Sequence, residues 1–133
     1  MISNYSELIA ATKQEHEPQR LLFVFCRAEL PGDATADERA AFKRGEGGAL
    51  TPVICVDKTP AEVADFSQLV EESRSTGENW EVVFVAAMSG RGGVPPSSDE
   101  TQQPMTMMVE SIRMGHVGNY LPLDASGEAV SLG

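Results

Sequence analysis

Three apolar runs divide the chain: Leu21–Cys26, Val53–Val56 and Val82–Ala87. None alternates polar with apolar positions. A strand with one wet face alternates, and a strand covered on both faces does not, so each run predicts a doubly buried strand. Segments of helical spacing lie between them. Tyr5, Leu8, Ile9 and Thr12 share one side of residues 3–16, and Pro18 ends that helix. Pro31-Gly32-Asp33 breaks the first strand, and Thr35 with Glu38 forms a capping box for a short helix running to about Arg44. Gly45–Gly48 then makes a glycine-rich loop.

Thr59, Pro60 and Glu62 give the clearest helix start in the chain: an N-cap, a proline at the first helical position and a box-closing acid. Val63, Phe66, Leu69 and Val70 supply its core face, and Thr76-Gly77 stops it. After the third strand comes a glycine loop, then Pro95–Glu100 as a mobile connection. The last helix buries Met105, Met108, Val109 and Ile112, and ends at Gly115 or Gly118. Tyr120–Leu123 and Glu128–Leu132 flank Asp124–Gly127 and predict a C-terminal β-hairpin on the sheet edge. The expected fold is α/β over 1–133 as one domain: a mixed sheet with three central, largely parallel strands, helices packed on it and the hairpin. A two-layer α+β arrangement is the alternative.

Composition narrows the chemistry. The chain has 133 residues and a formal net charge of −10, and its ten basic residues form no cluster larger than Lys43-Arg44. Such a surface repels nucleic acid and anionic membranes. No apolar run reaches the roughly 18–20 residues needed to span a bilayer. No secretory signal opens the chain, and the expectation is a cytoplasmic protein. Both cysteines, Cys26 and Cys55, fall in apolar strands and are expected to be buried, unreactive thiols. No spacing of His, Cys or carboxylates suggests a metal, and no motif calls for a cofactor.

The loop Ser89-Gly90-Arg91-Gly92-Gly93 follows the third strand at once. Its glycines free backbone N–H groups and Arg91 adds a fixed positive charge, which suits a small anionic ligand. The loop lacks the lysine of a Walker A motif, and Pro95 stands where a dinucleotide loop needs its third glycine. Ser89 ends a strand as a nucleophile elbow does, but Ala87 stands where the elbow requires glycine. Asp57, after the second strand, reaches the same rim if the two strands run in parallel. Met107 and Met114 lie seven residues apart on the far side of the last helix and suit contact with a protein partner or a second copy.

Glu17–Phe25, Gly45–Leu50, Val56–Pro60, Val70–Arg74 and Ser89–Gly93 together resemble a family of short proteobacterial proteins that carry the label "ribonucleotide reductase subunit alpha". The resemblance runs over nearly the whole chain and brings no catalytic motif to particular residues. A catalytic reductase subunit is a large barrel with a radical-bearing cysteine and a reducing cysteine pair. A chain of 133 residues with two cysteines is too short for that role. The resemblance therefore implies an accessory role at most. Three functions follow as expectations: an accessory or binding protein, with the anion at the glycine loop; a small enzyme on a phosphorylated or carboxylated metabolite, with Arg91 holding the anion and Asp57 as acid or base; or an assembly subunit.

Overall fold

The computed structural model describes residues 2–30, 32–44 and 49–131. The elements run α1 (Tyr5–Gln14), β1 (Gln19–Glu29), α2 (Ala36–Lys43), β2 (Ala49–Lys58), α3 (Phe66–Arg74), β3 (Val82–Ser89), α4 (Gln102–Arg113) and β4 (Leu121–Leu123). Short 3-10 turns at Pro60–Val63 and Asp99–Thr101 precede α3 and α4. Pro31, the loop Gly45–Gly48 and Leu132 lie outside the described residues.

The four strands form one sheet in the order β2-β1-β3-β4, and every neighbouring pair is antiparallel. The expected parallel centre is therefore wrong. β2 and β3 do run the same way, but β1 lies between them and runs against both. Apolar runs alternating with helices look the same whether a parallel pair is adjacent or split by an antiparallel strand. The β1–β2 link also lacks a covering crossover, because α2 buries none of its residues. Parallel neighbours need a crossover that packs back on the sheet.

β1 is the spine. Leu21 through Cys26 are each at most 2 % exposed. Odd residues Leu21, Phe23 and Phe25 join Val83, Val85 and Leu123 beneath α1 and α3, which contribute Tyr5, Leu8, Ile9 and Leu69. Even residues Leu22, Val24 and Cys26 join Val82 and Phe84 beneath Met108 and Ile112 of α4. The protein is thus three layers, helices on both faces of an antiparallel sheet. Trp80 closes the first core: its ring meets Phe25 edge-on at 4.8 Å, its Nε1 donates to Ser73 Oγ at 2.8 Å, and the Arg74 guanidinium stacks on it at 4.5 Å.

Helix starts follow the capping chemistry. The Thr35–Glu38 box caps α2. Thr59 N and Oγ1 donate to the Glu62 carboxylate at 2.8 and 3.0 Å. The helix expected from Thr59 is nevertheless split. Pro60–Val63 makes only a 3-10 turn, and Asp65 caps a new helix by accepting from Ser67 N at 3.0 Å. The expected C-terminal hairpin is reduced to β4, a turn pinned by Asp124 to Ser126 N and Glu128 N, and single bridges from Leu123 to Ala129 and from Asn4 to Glu128.

The two sheet edges are handled differently. Beyond β4, Val130 N donates to Pro122 O and Ala129 N to Ser3 O, so that edge is covered by chain. β2 is the open edge, and it is blunted. Pro18 O accepts from Gly90 N and Cys26 O from Glu81 N, so even residues of β1 turn their backbone groups to β3 and odd residues to β2. By register, Leu50, Pro52, Cys55 and Asp57 then turn theirs outward. Pro52 has no N–H to offer there, and Val53 is the extra residue of a bulge. Proline and bulges at an edge suppress pairing with other chains.

The edge position also corrects the cysteines. Cys26 is buried, and burial pushes its thiol up to about 12. Cys55 is exposed, because no further strand lies beside β2 to cover it. Native protein treated with a chromogenic thiol reagent should therefore release one equivalent of chromophore, and none after Cys55→Ala. Two equivalents without denaturant would contradict the burial of Cys26.

Candidate functional site

Because β1 opposes both neighbours, its start meets the carboxyl ends of β2 and β3 at one rim. Leu22 stands opposite Asp57, and Gln19 opposite Ser89. Asp57 and the glycine loop thus reach the same rim with β1 between them. Three polar ties hold it.

The first tie orders the glycine loop. Arg91 N donates to Val94 O and Val94 N to Arg91 O, both at 3.0 Å. Gly92 and Gly93 have φ of 58° and 81°. Two central residues at positive φ between a reciprocally bonded pair make the tight turn of a β-hairpin. Gly90 is required for a different reason: a Cβ there would lie 2.0 Å from Val94 O. The Glu17 carboxylate then accepts from Gly93 N at 2.9 and 3.2 Å. The chain's own carboxylate occupies that loop amide, and the Gly90 and Arg91 amides serve Pro18 O and Val94 O.

The second tie is Gln19, buried, whose Nε2 donates to Ser89 Oγ at 2.8 Å and to Glu17 O at 3.0 Å. The partner of the Ser89 hydroxyl is therefore an amide. The third tie is an ion pair. Arg20 Nε donates to Asp57 Oδ2 at 2.7 Å, Ser98 Oγ donates to Asp57 Oδ1 at 3.1 Å, and a second Arg20 nitrogen reaches Pro96 O at 3.4 Å. Burial works to raise the Asp57 pKa, but hydrogen bonds from Arg20 and Ser98 and the Arg20 charge outweigh it and hold the carboxyl below its usual range.

These ties correct the expectation of a mobile connection at Pro95–Glu100. Pro96 is buried, Ser97 N donates to the Glu100 carboxylate at 2.9 Å, and Ser98 is bound to Asp57. The link between β3 and α4 is fastened over the rim.

Arg91 and Asp57 are not brought together as an anion clamp. Arg20 is the cation on Asp57, whereas the Arg91 charge acts on Glu100. Among the described residues the Arg91 guanidinium makes no hydrogen bond or ion pair. Glu17, Gln19, Arg20 and Ser98 carry the rim, and no catalytic or binding motif points to them: the register of β1 and the bond from Ser98 to Asp57 collect them.

Two cavities lie elsewhere. An open one of about 500 Å³ sits where Asn4–Ser6, Ala64–Ser67 and Ala125–Glu128 meet, and a crevice of about 50 Å³ lies between Ile54, Val56 and Leu69. Neither is lined by Ser89–Gly93 or Asp57. Among the described residues no three His, Cys, Asp or Glu side chains gather as a metal-binding set, and no helix is long and apolar enough to cross a membrane.

The outer face of α4 is the other expected surface. Met107 and Met114 are 62 % and 66 % exposed, and Val94 in the glycine hairpin is 65 % exposed. Met108 and Ile112 point the opposite way, into the core. Compared with family models, curated proteins and solved structures, the chain matches none.

The Asp57 tie sets a pH dependence. A carboxyl whose folded pKa is depressed stabilises the protein above its unfolded pKa of about 3.9, and that contribution is lost as pH falls through the lower folded value. Urea denaturation should show Asp57→Asn destabilised by about 1–2 kcal/mol at pH 7. Between about pH 5 and pH 2 the variant should lose less stability than the wild type. Parallel losses across that range would show that the pair contributes nothing.

Proposed function

We propose that the protein is an accessory protein that works by binding another protein through the outer face of α4. The observation that carries this reading is that the large apolar side chains most exposed among the described residues, Val94, Met107 and Met114, all fall in the hairpin and helix that follow β3. A helix with one face in the core gains no burial from methionines on the other. Methionine suits a surface that adapts to a partner, because it is flexible and polarizable.

The test is site-specific photocrosslinking in the producing cell. A photoreactive residue at position 107 or 114 should give one shared adduct, absent when the probe is at Lys13 on α1. Met107→Ser with Met114→Ser should shift stability by no more than about 0.5 kcal/mol, since both are surface positions. The same adducts from all three probe positions would overturn the reading.

A second reading, a small anion at Ser89–Gly93, is supported by the unpaired Arg91 guanidinium. With the Gly93 amide on Glu17, it leaves the Gly92 amide and Arg91 as the donors. Phosphate or a small carboxylate should then move the Arg91 and Gly92 amide signals and lose its effect in Arg91→Ala. Still signals throughout a titration to tens of millimolar would leave the loop as a structural turn. The enzyme reading needs Asp57 free of Arg20 and Ser98, and no observation favours that.

A further inference from the structure

The stripe that carries Met107 and Met114 also has a spacing and a charge. Gln103, Met107, Glu110 and Met114 are all exposed and follow one another at intervals of four, three and four residues. At 1.5 Å per residue this is a straight seam about 16 Å long. Such spacing is the pattern on which a second helix packs side by side with the first, because 3.5 residues per turn keeps one edge facing the partner. The seam is apolar at two positions and polar at two. It is neither a core face left uncovered nor a uniformly solvated one.

Its charge is negative. Among the described residues the Glu110 carboxylate, between the two methionines, makes no ion pair. Asp99 and Glu100 are exposed in the 3-10 turn before the helix, where the Arg91 charge already acts on Glu100. Arg113 is the only cation within α4, and its charge acts on the Cys55 thiol, beside β2. The chain as a whole carries −10. A second copy would carry the same net −10, and like net charge slows and weakens encounter.

We infer that the occupant of this seam is a basic amphipathic helix of a partner protein, an inference that rests on the α4 reading above. Its apolar residues cover Met107 and Met114, and its Lys or Arg residues meet Glu110 and Asp99. Helix-on-helix recognition includes apolar anchors one heptad apart, and Met107 and Met114 stand seven residues apart.

The experiment uses the whole protein labelled at its methionine methyl groups. It is titrated with an 18-residue helical peptide of leucine and lysine, and with a counterpart of the same leucine spacing in which glutamate replaces lysine. The basic peptide should move the Met107 and Met114 signals saturably, with little change at buried Met108. Met107→Ser should weaken that binding about tenfold. Glu110→Lys should weaken it about fivefold and strengthen the acidic peptide. Equal response to both peptides, in wild type and Glu110→Lys alike, would overturn the basic partner while leaving the α4 contact intact. No response to either peptide, alongside a specific crosslink from position 107, would overturn the helical partner alone. Signals at Met107 and Met114 that move with protein concentration and no peptide would make a second copy the occupant and overturn the inference.

Discussion

Everything in this fold follows from a strand that has no wet face. Leu21 to Cys26 put an apolar side chain on each side of the sheet at every step. Each face must therefore be covered, and a single layer of helices cannot do it. α1 and α3 bury the odd residues and α4 buries the even ones. Burying a large aliphatic or aromatic side chain stabilises by roughly 1.5–3 kcal/mol, so leaving either face open would cost more than a small domain's whole stability. The central position of β1 then sets the rest. Its neighbours must be strands, and the connections must place helices on opposite sides.

The rim shows how polar groups are managed when a chain leaves such a core. The Gly93 amide of the glycine loop, the Ser89 hydroxyl and the Arg20 guanidinium all sit where the sheet ends. Each finds a partner from a different segment: Glu17, Gln19 and Asp57. The Arg20–Asp57 pair is largely shielded, with side chains 16 % and 19 % exposed, and it holds Ser98 and Pro96 as well as itself. A shielded pair stabilises only when its remaining hydrogen-bonding capacity is met, and here it is met by the loop that leads to α4. The network therefore positions the helix that carries the proposed contact surface. It links the chemistry at the strand ends to the exposed methionine seam without itself needing a ligand.

The open edge of β2 points the same way. Pro52, which lacks an N–H, and the Val53 bulge interrupt the row of groups with which an added strand would pair. A protein that disfavours strand pairing and exposes a helical seam is better suited to side-chain recognition than to backbone recognition.

Local chemistry was legible in the residues themselves. The three strands, the Thr35–Glu38 cap, the stop at Gly77 and the core faces of α1 and α4 follow from spacing and capping, which act within one or two turns of chain. The exposed face of Met107 and Met114 follows from the same helical geometry. The strand directions do not. A doubly buried strand has the same composition whether its neighbours run with it or against it, so the antiparallel order β2-β1-β3-β4 was decided by which helices could cross a face and pack. Cys55 illustrates the consequence: its strand reads as buried, and only its place at the sheet edge exposes it. The rim is the same lesson in polar groups. Glu17, Arg20 and Ser98 are ordinary surface residues in sequence, and with Asp57 they become a network because the fold brings three distant segments within hydrogen-bond reach, a relation that no local pattern encodes.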